Sequence, residues 1–199
     1  EDRVIIQPAL ALLEFDSIAA GIQAGDAMVK RAPLDLLKAG TVQPGKYLVL
    51  IGGQVADVEE AIDAARSAEP NTLVDIVFLP DVHPDVVAAV AGARRADEGE
   101  ALGVVETMTV AAVIQAADAG VKGARVTLRE LRMADGLGGK GYLLFGGTVA
   151  DVEAGVAIGA ARVGGQLIRD IVIAQLHPEM KDNLSVDGRF EHLVRSEEE

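Results

Sequence analysis

Apolar residues fall along the chain in short blocks, and the spacing changes from block to block. Residues 9–15 form an almost unbroken apolar run, which predicts a buried strand. Asp16-Ser17 follows as a capping pair and opens a helix through about Arg31, with Ile18, Ile22 and Val29 on an apolar side and Ala at many positions between. Pro33 stops that helix. Leu34 to about Val42 reads as a second strand, Gln43-Pro44-Gly45 as a turn, and Lys46 to Ile51 as a third strand. Val55, Val58 and Ile62 return to helical spacing over 55–68. Glu69-Pro70-Asn71 ends that helix, and residues 73–79 form a fourth strand rich in branched side chains. His83-Pro84 then opens a short helix with Pro in its first turn. The order β-α-β-β-α-β predicts an α+β fold of ferredoxin-like type.

The same text then begins again. Ala9-Leu10-Ala11-Leu12-Leu13-Glu14 returns as Ala101-Leu102-Gly103-Val104-Val105-Glu106, and Asp26-Ala27-Met28-Val29-Lys30 returns as Asp118-Ala119-Gly120-Val121-Lys122, each 92 positions on (9 to 101, 26 to 118). Further along, Gly45-Lys46 matches Gly139-Lys140, Val55-Ala56-Asp57-Val58-Glu59 matches Val149-Ala150-Asp151-Val152-Glu153, and His83-Pro84 matches His177-Pro178, each 94 positions on (45 to 139, 83 to 177). The drift of two residues marks a small loop insertion in the second copy of a duplicated domain. Strands are expected at 101–106, 126–134, 140–147 and 166–174, with helices at 109–122 and 149–163. The expected boundaries are 9–91 for the first domain, 92–100 for a polar linker containing Arg94-Arg95-Ala96-Asp97-Glu98-Gly99, 101–180 for the second domain, and 181–199 for a loosely ordered acidic tail. Val4-Ile5-Ile6 is read as an extra strand.

Composition narrows what such a pair of domains can do. Half of the 199 residues are apolar, but there are four Phe, two Tyr and no Trp, so the cores must be filled by Ala, Val, Ile and Leu around 22 Gly. A net charge of −13 argues against nucleic acid as a partner, since phosphate binding needs clustered Lys and Arg. The lack of Cys excludes disulfides, thiolate zinc sites and cysteine-bound iron–sulphur clusters, and fits a reducing cytosol. No segment reaches the roughly 18 uninterrupted apolar residues of a membrane-spanning helix, so no membrane association is expected. The chain opens on Glu1 rather than Met, which reads as a trimmed or a processed start.

Few residues suggest chemistry. Gly136-Leu137-Gly138-Gly139-Lys140-Gly141 resembles a phosphate loop, but Lys140 is followed by Gly141 instead of Ser or Thr, Ala134 stands where the leading Gly belongs, and the segment enters a strand. His83 and His177 recur with the domain and read as structural, as do Glu14 and Glu106 at the ends of equivalent strands. There is no nucleophile–base arrangement and no metal-ligand spacing, so neither a catalytic residue nor a metal or other cofactor is expected.

Taken in order, Leu12-Leu13-Glu14, Gly25-Asp26-Ala27-Met28-Val29-Lys30, Pro44-Gly45-Lys46, Gly52-Gly53-Gln54-Val55-Ala56-Asp57-Val58 and His83-Pro84, with their counterparts in the second half, resemble the bacterial microcompartment shell domain. The resemblance runs over about residues 9–180, and each copy keeps the unpermuted order. It implies a structural shell protein, not an enzyme, located in the shell of a microcompartment within the cytoplasm. Three two-domain chains would form a homotrimer that imitates a hexagon and meets other shell proteins at its edges. By the same resemblance Lys30 and Lys122 are tile-edge residues; without it, each is an ordinary cation at a helix C-terminus. The turns Thr41-Val42-Gln43-Pro44-Gly45 and Asp135-Gly136-Leu137-Gly138-Gly139 would line a central pore for small polar metabolites; without it, they are hairpin turns. Counting back from Gly45 and Gly139 pairs Thr41 with Asp135 and Gln43 with Leu137. In relatives of the propanediol type a cysteine at the first turn binds an iron–sulphur cluster. Here Gln43 stands there, and a neutral amide is no substitute ligand. Two other readings remain open: a ferredoxin-like oligomeric regulator that holds a ligand in its Gly-rich turns, and a small-molecule enzyme with its site between the copies.

Overall fold

The computed structural model describes residues 8–96, 99–186 and 188–190. The expected strand at Val4-Ile5-Ile6 and the end of the tail lie outside the described residues. The first domain runs β1 (Ala9–Phe15), α1 (Ile18–Arg31), β2 (Leu36–Val42), β3 (Lys46–Gly53), α2 (Val55–Ala68), β4 (Leu73–Leu79) and α3 (Pro84–Val90). The second repeats it as β5 (Ala101–Thr107), α4 (Val110–Gly123), β6 (Thr127–Met133), β7 (Gly141–Gly147), α5 (Val149–Val163), β8 (Leu167–Ile173) and α6 (Pro178–Ser185). Each domain holds one antiparallel four-stranded sheet, ordered β2-β3-β1-β4 and β6-β7-β5-β8. Both have the expected βαββαβ arrangement. The helix α6 carries ordered structure past residue 180, into what the sequence suggested was loose tail.

β1 is buried at all seven positions because it serves two cores. Ala9, Ala11, Leu13 and Phe15 point to one side and pack with Ala24, Met28, Val58 and Ile62 of α1 and α2. Leu10 and Leu12 alternate to the other side and join a cluster that includes Val77 and Leu79 of β4 and Val110 and Ile114 of α4. The second core is therefore shared between the domains.

Helix starts follow the capping chemistry. Ser17 Oγ accepts from the Ala20 amide at 3.3 Å, and Thr109 Oγ1 accepts from the Ala112 amide at 3.2 Å. The apolar side assigned to α1 is corrected by the fold. Ile18, Ile22 and Val29 are 40%, 55% and 45% exposed, while the helix buries Ala20, Gly21, Ala24, Gly25 and Met28. The reason is proximity: a Cβ on Gly21 would lie 2.5 Å from the Tyr47 ring, so the first two turns toward the sheet admit only small residues, and Met28 fills the space near the end of the helix. The larger aliphatic side chains are left facing outward.

Candidate functional site

The two glycine-bearing turns lie side by side within one chain. The Gln43 amide donates to Asp135 Oδ1 at 3.1 Å, and Gln43 Oε1 accepts from the Gly136 amide at 3.3 Å. This reciprocal pair ties the β2–β3 turn to the β6–β7 turn. Gly139 is buried at φ +85°, where a Cβ would come within 2.8 Å of Pro44 Cδ, so the close approach requires glycine. Thr41, Gln43, Pro44, Gly45, Asp135, Gly136 and Gly138 are exposed, whereas Val42 and Leu137 are half-buried.

The register corrects the residue pairing obtained by counting. Val42 stands opposite Lys46 on β3, and the Ala134 amide bonds to the Lys140 carbonyl on the corresponding side of the second hairpin. Val42 thus corresponds to Ala134, and Thr41 to Met133, which faces Gly141 as Thr41 faces Tyr47. The two extra residues sit inside the β6–β7 turn itself. That turn is longer and folds back through positive φ at Ala134, Gly136, Gly138 and Gly139. The Gln43 carboxamide is thus engaged by the neighbouring turn through its oxygen.

Lys30 is exposed and pairs with Asp26 at 2.5 Å, one helical turn earlier. Lys122 makes the same pair with Asp118 at 2.6 Å and also donates to the backbone carbonyl of Asp81 in the first domain. Its surroundings differ because α4 lies against the first domain and α1 lies against nothing equivalent.

That difference is the main structural asymmetry. Beyond the small-residue side common to both helices, α4 buries Val110, Ala111, Ile114 and Asp118, whose counterparts Ile18, Ala19, Ile22 and Asp26 are exposed. On the sheet that α4 covers, Val77 is 2% exposed, while the corresponding Ile171 on β8 is 38% exposed. Polar contacts complete the covered junction. Glu14, fully buried, accepts from the Val110 and Ala111 amides at 3.0 and 3.3 Å and from Lys46 Nζ at 2.9 Å. A carboxylate at a helix N-terminus satisfies otherwise unpaired donors and meets the positive end of the dipole. The Thr109 hydroxyl donates to Asp75, and Asp118 Oδ1 accepts from the His83 amide at 2.9 Å. Glu14 is thus a docking group, a role the sequence reading missed; the signal was a carboxylate inside an otherwise apolar strand. His83 caps its helix, with Nδ1 accepting from the Asp85 amide at 3.2 Å, in keeping with its structural reading.

Among the described residues no group of three or more His, Cys, Asp or Glu is gathered as a metal would require. No helix there is long and apolar enough to cross a membrane.

Comparison with known proteins agrees with this duplicated architecture. The BMC domain model matches residues 9–82 and again 101–176. The chain is 42% identical over 174 residues to the bacterial microcompartment shell protein PduT of Citrobacter freundii, covering 86% of this chain and 95% of that protein. It is 29% identical over 196 residues to the carboxysome assembly protein CcmO of a Synechocystis strain, spanning 65% of that protein. The crystal structure of a microcompartments protein from Desulfitobacterium hafniense superposes with a TM-score of 0.76 at 41% identity, covering 87% of this chain and 98% of that one. With the domain matched twice in the order its two sheets display, the chain belongs to the BMC-domain family of bacterial microcompartment shell proteins.

Proposed function

We propose that three copies of the chain close into a flat, six-lobed tile of a microcompartment shell, with the paired turns around its axis. The carrying observation is the unequal burial of α1 and α4. Within the chain, the α4 face of the second domain covers the β1/β4 face of the first. The same two surfaces, α1 with Ile18 and Ile22, and β8 with Ile171, remain exposed. Each surface fits the other on another copy, so association is head to tail, and a head-to-tail contact closes into a ring when its rotation divides a full turn. The number three rests on the likeness to tandem-domain shell proteins.

In such a ring, Thr41 to Gly45 and Asp135 to Gly139 alternate around a central opening. Backbone amides and the Asp135 carboxylates at that opening suit passage of small polar metabolites, with barriers set by width and lining groups. Lys30 and Lys122 lie at the rim and join neighbouring tiles by donating to carbonyls across the seam. The protein's work is confinement and selective permeation within the shell; it is not an enzyme. The structural role of the shell relatives supports that reading.

Electron microscopy of the purified chain, dilute and then concentrated at low salt, tests the proposal. Six-lobed discs that associate edge to edge are expected. Lys30→Ala with Lys122→Ala should leave discs intact and weaken the sheets. Compact monomers without discs would overturn the tile, and unchanged sheets in the double variant would overturn the edge assignment.

A further inference from the structure

We propose that the junction between copies is locked by a charge pair that the junction inside the chain lacks: Arg169 of one copy against Asp16 of the next, beside Glu106 holding the start of the next copy's α1. This deepens the tile reading and rests on it.

The assignment follows from register. On the first sheet Glu14 stands opposite Asp75, and on the second Glu106 stands opposite Arg169, with the same irregularity one residue later in both. Arg169 thus occupies the place of Asp75. Inside the chain, Asp75 receives the Thr109 hydroxyl while Glu14 receives the first amides of α4. On α1 the residue equivalent to Thr109 is Ser17, which caps its helix in the same way. The residue before it is Asp16, where the second domain has Met108.

A second copy docked in the same manner therefore sets the Arg169 guanidinium beside Ser17, and its long side chain is then one residue from the Asp16 carboxylate. It also brings the Ile18 and Ala19 amides to Glu106. The groups are free to do this. Arg169 and Asp16 are both exposed and neither has a side-chain partner among the described residues. Glu106 holds Lys140 at 3.0 Å through one oxygen, as Glu14 holds Lys46, but no helix start lies on the other oxygen. The site is incomplete in one chain and complete in two.

The exchange of charge also tells the two junctions apart. An α1 that strayed onto the first domain's sheet would bring Asp16 toward the carboxylate of Asp75, like charge toward like. On β8 it meets an arginine instead. Repulsion at the wrong site and attraction at the right one favour a single order of domains around the ring.

Charge reversal tests the pair. Arg169→Glu and Asp16→Lys, each alone, should raise the concentration at which copies associate by about tenfold in sedimentation equilibrium at low salt. The double variant should return to within about threefold of the parent. Because both side chains are exposed, the urea midpoint measured at concentrations below association should stay at the parent value for Arg169→Glu. Asp16→Lys, alone or in the double variant, should lower the folding equilibrium constant by no more than about fivefold, through the lost negative charge before the start of α1. If the parent associates and neither single variant weakens it, or if the double variant is weaker than both, the charge pair falls and the tile reading stands. If the parent stays monomeric throughout the concentration range, both fall together.

Discussion

Glu14 and Glu106 occupy the same place in the two domains, yet replacing them should have very different effects. Glu14→Ala removes an acceptor for two buried amides, at 3.0 and 3.3 Å, and for the Lys46 ammonium at 2.9 Å. The side chain is fully buried and Lys46 is 20% exposed, so water reaches the orphaned groups only from the lysine side. Hydrogen bonds to a charged group contribute about 1.5–3 kcal/mol each, and breaking a buried pair by removing one partner costs about 3–5 kcal/mol. These terms overlap, and a loss of about 4 kcal/mol is expected. Glu14→Gln keeps one acceptor oxygen and should lose about half as much. Glu106, by contrast, makes one pair at 3.0 Å with Lys140, and the two side chains are 35% and 50% exposed. Solvent screening limits that pair to at most about 1 kcal/mol in the isolated chain. The assay is urea unfolding at two protein concentrations, one below and one above association. At the lower concentration Glu14→Ala should be about 3 kcal/mol worse than Glu106→Ala, the difference between these two values. At the higher, the Glu106→Ala penalty should grow as the parent gains its second helix start. Equal losses at low concentration, or a Glu14→Ala cost under about 1 kcal/mol, would refute the account of Glu14 as the docking group.

Two further contrasts follow from burial. Ile114→Ala, in a fully buried site, should cost about 2–5 kcal/mol by urea midpoint, whereas Ile22→Ala at 55% exposure should stay within about 0.5 kcal/mol below association and act only on assembly. The Tyr142 phenol is raised above its ordinary value of 10.0, first by burial and then by the Glu130 carboxylate. The unfolded chain therefore loses this proton first as pH rises, so the contribution is whole below about pH 10 and declines above it. Tyr142→Phe should flatten the alkaline fall in melting temperature, and an unchanged profile would refute the assignment.

Much of the architecture was legible because the apolar period changes cleanly from element to element. The helices at 55–68 and 149–163 and the strands at 9–15 and 73–79 fall where the pattern put them. What misled was size. Ile18, Ile22 and Val29 are the largest aliphatic side chains on α1, and a pattern argument sends them to the core. The close packing of Gly21 on Tyr47 reserves the start of that side for small residues, and no periodicity reveals how near a helix lies to the side chains beneath it. The pairing of the turns failed for a related reason: a repeat gives the net insertion of two residues, but only the hydrogen-bond ladder shows where it falls. Glu14 was visible as an anomaly in an apolar strand, yet the helix amides it holds are 96 and 97 residues away in sequence and could not be read from spacing.

The contact between α4 and the first sheet is made by one chain with itself. Its formation is therefore indifferent to how much protein is present, since a short tether holds the partners at an effective concentration of about millimolar. The matching contact proposed between chains has no tether and would have to wait for supply. A cell making little of this protein would hold folded, half-satisfied units, and shell building would begin abruptly once synthesis passed a threshold.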